Sequence, residues 1–118
     1  MTLPRVLVFT TCYNERDNIG LMIDQIAATL PQADILVVDD NSPDGTWGVI
    51  ESKKAEYPQL VAVKRPGKLG IGSAHKYALF YAIREGYDKV ITMDADFSHD
   101  PQRLPALLAA HGPNTFVT

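Results

Sequence analysis

Three stretches of the chain collect most of the residues able to do chemistry: Thr11-Cys12-Tyr13-Asn14-Glu15, Asp39-Asp40-Asn41-Ser42-Pro43-Asp44-Gly45, and Asp94-Ala95-Asp96-Phe97-Ser98-His99-Asp100. In the last of these, the apolar run Val90 to Met93 leads straight into two carboxylates one residue apart. Like charges so close repel, and a divalent cation or strong donors best compensate them. Hard cations such as Mg²⁺ or Mn²⁺ prefer carboxylate oxygen, and a cation held there can also hold a diphosphate. A D-x-D triplet is common by chance, so its place directly after a strand-like run is what gives it weight. In the second stretch, one carboxylate of Asp39-Asp40 can accept from a ligand N–H or hydroxyl while the other serves the turn. Asp39 is expected to be the structural one. Ser42, Pro43, Asp44 and Gly45 read independently as a turn and helix entry. In the first stretch, Tyr13 can stack on a base, and Glu15 suits either a ligand site or the first turn of a helix, where the dipole favours an acid.

A basic, glycine-rich stretch, Lys64-Arg65-Pro66-Gly67-Lys68-Leu69-Gly70-Ile71-Gly72, stands between a strand and a helix. Its backbone amides could approach an anion closely, but it is neither a Walker A sequence nor a full dinucleotide fingerprint, and a solvated basic turn is an equal reading. His75 and His111 read as helix-surface residues, His99 stands close enough to the D-x-D run to enter a site, and Trp47 reads as a packing residue.

These stretches need elements to position them. Strand-like apolar runs occur at 6–10, 35–38, 60–63, 90–93 and 116–118. Helical spacing predicts helices over about 18–30, 46–57, from Gly72 to about Gly86, and 101–110. Pro31 and Pro58 stop the first two, Asp44 is the expected N-cap of the second, Gly86 the C-cap of the third, and Pro101 suits the first turn of the fourth. Such alternation predicts an α/β, Rossmann-like fold, a mostly parallel sheet with helices on both faces. Ligands of such sheets bind outside the carboxyl ends of the strands, which is where all three acidic stretches fall.

The bulk properties set bounds on function. The chain has 118 residues, 46% hydrophobic and 21% charged, with a net charge of −3. That is one domain by size, and the charge supplies no basic footprint for nucleic acid. Cys12 is the single cysteine, which excludes an internal disulfide and is compatible with a reducing compartment. The apolar stretch at Val6 to Thr11 is too short for a signal core or a membrane span, so a cytoplasmic location is the expectation. Domains rarely end inside a central strand, and the run at Phe116 to Thr118 therefore reads as the edge of a truncated unit.

Taken together, YNERDNI, VVDDNSPDGT, KLGIGSA and MDADFSHDP, in this order, resemble family 2 glycosyltransferases of the GT-A fold, in the polyprenol-phosphate (dolichol-phosphate) mannosyltransferase branch. The resemblance covers nearly the whole chain and makes residues 1–118 the nucleotide-sugar-binding part of such a domain. It implies that Thr11, Tyr13, Glu15, Val38 and Asp40 line the nucleotide pocket, and that Asp94, Ala95 and Asp96 handle the diphosphate and a divalent metal. Asp94 and Asp96 would be the catalytic acids and metal ligands, with Ser98 beside them. The implied reaction moves mannose from GDP-mannose to a polyprenyl phosphate with inversion; UDP-hexose branches share the motifs. The membrane would be met only through that acceptor or through segments absent from this chain, at the cytoplasmic membrane face. Three positions depart from the pattern: Thr11 stands in place of a proline, Ala78 of a helix glycine, and Ser98 of a glutamine that assists the metal in some relatives. Because relatives supply the acceptor site from a second half, the isolated chain is expected to lack transferase activity.

Rival readings are a haloacid-dehalogenase-type phosphatase, suggested by Asp94-Ala95-Asp96-Phe97-Ser98, a receiver-like signalling domain, suggested by VVDDN, and a nucleotide-sugar-binding module without turnover. The phosphatase motif opens its fold and needs a lysine and acids downstream, whereas few residues follow Ser98. The receiver reading leaves the D-x-D unexplained.

Overall fold

The fold, taken from a computed structural model, describes residues 5–66, 71–94 and 116–117. Its elements alternate as expected: β1 (Val6–Cys12), α1 (Ile19–Thr29), β2 (Asp34–Asp39), α2 (Thr46–Glu56), β3 (Leu60–Lys64), α3 (Ile71–Glu85), β4 (Lys89–Asp94) and β5 (Phe116–Val117). The strands form one sheet in the order β3-β2-β1-β4-β5, with every pairing parallel. The helix expected over 101–110, with His111 at its end, lies outside the described residues.

The apolar runs explain the layering. Strand β1 is at the centre of the sheet, so both of its faces must be apolar, and Val6 to Phe9 are all essentially buried. Val6, Val8 and Cys12 face one core with Ile19, Met22, Ile23 and Ile26 of α1 and Ile50 of α2. Leu7 and Phe9 face the other core, where Ala74, Ala78 and Ala82 bring α3 close to the sheet. The small side chains at i, i+4 and i+8 form the stripe expected for α3, and alanine at 78 fits there with its side chain buried. Trp47 packs against the α1 side, as expected.

Helices α1 and α2 are also tied to one another. Lys53 Nζ donates to both oxygens of Asp24 at 3.0 and 2.9 Å, and the Tyr57 hydroxyl donates at 2.8 Å. Burial pushes the Asp24 carboxyl up, but these donors outweigh it and hold it below the usual carboxylate range.

Gly86 ends α3 as expected. It has φ +76, its N–H donates to the Ile83 carbonyl at 3.3 Å, and Tyr87 N–H donates to the Ala82 carbonyl at 3.0 Å, the paired bonds of a Schellman motif. A Cβ at Gly86 would meet Arg5 at an ordinary 3.5 Å, so the obstacle to substitution is backbone conformation. Gly86→Ala is therefore expected to cost about 1 kcal/mol, from the penalty of an L-residue in this region. Urea unfolding would check this; an unchanged midpoint would mean that the turn relaxes freely.

The start of α2 differs from expectation. Gly45, at φ +93, occupies the N-cap position, and Asp44 stands one residue further out. The left-handed turn at Gly45 aims the Asp44 carboxylate back at the helix, where it accepts from Thr46 N at 3.0 Å and from the Thr46 hydroxyl. Asp44 thus does a cap's work from outside the cap, and the Thr46 hydroxyl bond holds its carboxyl below the usual range.

Candidate active site at the carboxyl edge of the sheet

The parallel register sets three strand ends side by side. Thr11 of β1 pairs with Val38 of β2 on one side and with Asp94 of β4 on the other, and Cys12 pairs with Asp39. The backbone continues these ladders past the strands: Asp40 N–H donates to the Cys12 carbonyl at 3.2 Å, and Arg65 N–H donates to the Asp39 carbonyl at 2.8 Å. Tyr13, Asp40 and the residues after Lys64 therefore leave the sheet together.

Side chains then stitch the loops. Asn14, at φ +57, donates its N–H to Ser42 Oγ at 2.9 Å, Glu15 N–H donates to Thr46 Oγ1 at 3.1 Å, and Arg16 N–H donates to Asp44 Oδ2 at 3.3 Å. Ser42 and Asp44 thus do the structural work expected of this turn, and Thr46 joins them. Asp39 is fully buried; it accepts from Ser42 N–H at 3.3 Å and from the Ser42 hydroxyl, with Cys12 Sγ at 3.8 Å. Asp39 is the structural member of the acidic pair. Burial, with the Asp39 charge alongside, pushes the Cys12 thiol far up, which keeps it protonated and inert.

Asp40 has a different partner. Arg65 Nε donates to its Oδ1 at 2.6 Å and Nη2 to its Oδ2 at 2.9 Å, while Nη1 reaches Ser73 Oγ on α3 at 3.0 Å. Both side chains are nearly buried, 8% and 7% exposed. This fork was missed in the sequence, where Arg65 read as part of a phosphate loop or a solvated turn. Lys64, by contrast, is exposed and lies over the Trp47 ring at 5.8 Å.

The remaining sequence-predicted residues fall as follows. Tyr13 is 39% exposed at the edge. Glu15 stands before α1, whose first turn holds no acid, so the first-turn reading does not apply; its carboxylate accepts from Asn18 Nδ2 at 3.2 Å. Thr11 is half-buried between β2 and β4. Val38 is wholly buried in the α3-side core. His75 is exposed on α3, its ring edge-on to Phe9 at 5.7 Å. Asp94 ends β4. Ala95, Asp96, Ser98 and His99 lie outside the described residues, as does the glycine-rich segment 67–70. Among the described residues no cluster of three metal-ligating side chains occurs. No helix among them is long and apolar enough to cross a membrane.

Comparison with known proteins places this geometry. The chain is 40% identical over 106 residues to the undecaprenyl-phosphate mannosyltransferase of Micrococcus luteus, covering 90% of this chain and 44% of that protein. It is 41% identical over 107 residues to the polyprenol monophosphomannose synthase of Mycolicibacterium smegmatis, covering 90% of this chain and 40% of that one. The chain thus spans less than half the length of either relative. Among solved structures it resembles the mannosyltransferase PcManGT from Pyrobaculum calidifontis in complex with GDP-Man and Mn²⁺, with a TM-score of 0.75 and 27% identity, covering 89% of this chain and 31% of that one. The fold is the GT-A type expected, and neither the phosphatase nor the receiver reading is favoured. Residues 7–117 match the model of the family described as "Glycosyl transferase family 2", and the chain belongs to that family.

Proposed function

We propose that this chain carries the donor-nucleotide and metal half of a transferase that moves mannose from GDP-mannose to a polyprenyl phosphate with inversion. The observation that carries the reading is the carboxyl edge of the sheet, where the Asp40 N–H bond to the Cys12 carbonyl and the pairing of Thr11 with Asp94 set the two acids on either side of the β1 end, in a chain 40% identical to an undecaprenyl-phosphate mannosyltransferase.

Each residue's task follows from its place. Tyr13, partly exposed beside Asp40, offers a ring for the base, and Asp40 offers carboxylate oxygen to the nucleoside. Asp94 and Asp96, with Ser98 nearby, supply hard oxygen donors one residue apart, a set that fits Mg²⁺ or Mn²⁺. Such a cation, when bound, offsets the charge of the diphosphate as the sugar leaves it. The acceptor phosphate is already anionic and can itself attack the anomeric carbon, so the protein's work is positioning and electrostatics, with no strong general base required. The membrane enters through the lipid acceptor, at its cytoplasmic face.

The test is calorimetry of the chain against GDP-mannose, UDP-glucose and their nucleotides, with and without Mn²⁺. Guanine-nucleotide binding that strengthens with Mn²⁺ is expected. Binding of neither nucleotide under any condition would sink the reading.

A further inference from the structure

A carboxylate at a ligand site can hold a cation or accept hydrogen bonds from neutral donors, and which it does depends on what already compensates its charge. Both oxygens of Asp40 are taken by the Arg65 fork, at 2.6 and 2.9 Å. Arg65 is itself fixed at two further points. Its backbone N–H continues the β2–β3 ladder by donating to the Asp39 carbonyl at 2.8 Å. The third guanidinium nitrogen donates to Ser73 Oγ at 3.0 Å. Asp40 is anchored in turn by its own N–H on the Cys12 carbonyl at 3.2 Å.

We infer that Arg65 is the positioning residue of the nucleoside subsite: clamped from β3 and α3, it fixes the Asp40 carboxylate and cancels its charge, so that Asp40 accepts neutral N–H or O–H groups and takes no cation. The inference rests on the proposed reading of Asp40 as a donor-site residue. A carboxylate has about four lone-pair sites, and the planar fork engages one on each oxygen, which leaves the outer pairs for a ligand. A cation at those pairs would sit close to a guanidinium in a nearly dry setting, where like charges repel strongly. The division of labour follows: the compensated carboxylate after β2 reads the nucleoside, and the acids after β4 are left to the metal and diphosphate. Lysine could not replace this arginine, because a single ammonium cannot span both oxygens and Ser73 at once.

The experiment is titration of the chain and its Arg65→Lys variant with GDP, UDP and inorganic pyrophosphate, at fixed Mn²⁺. Arg65→Lys is expected to weaken binding of the preferred nucleotide about tenfold, as for loss of a charge-assisted hydrogen bond, and to leave pyrophosphate unchanged. A residue that merely stabilised the fold would weaken both ligands alike, and that outcome overturns the inference, as does an unchanged nucleotide affinity. Should Arg65→Lys fail to fold, Ser73→Ala removes only the third tie; it is expected to show a smaller loss confined to the nucleotide, and equal effects on both ligands would again overturn the inference. If the unmodified chain binds neither nucleotide, the proposed function itself fails and the inference falls with it. Nucleotide binding by the unmodified chain without a selective loss in the variants leaves the function standing and removes the role of Arg65.

Discussion

Replacing Arg65 by methionine is expected to lower the unfolding free energy by about 3–5 kcal/mol, the cost of breaking a buried ion pair from one side. Methionine fills much of the arginine stem's volume, so packing changes little. What changes is Asp40, whose nearly buried carboxylate loses the donors on both its oxygens. Since whole domains are stable by only about 5–15 kcal/mol, the variant should be close to unfolding. Substituting both partners, as Asp40→Asn with Arg65→Met, removes the orphaned charge and is expected to recover most of the loss, because an apolar–neutral pair leaves no ion to desolvate. Urea unfolding of the two single variants and the double variant closes the cycle. If the double variant is as unstable as Arg65→Met alone, lost packing and not the buried charge is responsible.

The second large effect concerns metal linkage. Asp96→Asn should weaken Mn²⁺-supported binding of a nucleotide diphosphate by about 1–3 kcal/mol, the usual size of a coupling between two ligands. Asparagine keeps nearly the same volume but removes the charge that compensates a cation shared with the diphosphate. The fold should survive, affinity of the unmodified chain should drop on chelation, and the variant should respond little to added Mn²⁺. Asp39 provides the contrast. Its carboxylate is fully buried and engaged with Ser42, so its replacement should reduce stability and leave metal linkage intact. Nucleotide titrations across a Mn²⁺ series decide the matter: full metal enhancement retained in Asp96→Asn would return the D-x-D to a chance pattern.

The parallel sheet and its helices were legible because a strand covered on both faces must be apolar almost without interruption, and runs such as Ile35 to Val38 are. Helix ends were legible where a residue has one physical use, as with Gly86 in a left-handed turn. The structural role of Asp39 was also within reach, since a turn after the strand needs an acceptor for its own amides. The pairing of Asp40 with Arg65 was not. Those residues are 25 positions apart, and their meeting depends on β3 lying beside β2, a fact of topology with no local trace. The N-cap was misplaced by one residue because Asp44 satisfies the helix amide through a backbone turn that only Gly45 allows.

The order of the sheet carries a consequence for how the site is assembled. The Cys12–Asp39 contact closes a loop of 27 positions, whereas the bond between Arg5 and Asp88, where β4 joins β1, closes one of 83. Chain entropy makes the longer closure costlier by about 1 kcal/mol before any contact repays it. Strands β1, β2 and β3 therefore form the more local unit, and β4, with β5 on its far side, is the part of the sheet expected to dock after it and to detach before it. A molecule that has released β4 would still hold Asp40 in the grip of Arg65, but would have no Asp94 beside Thr11.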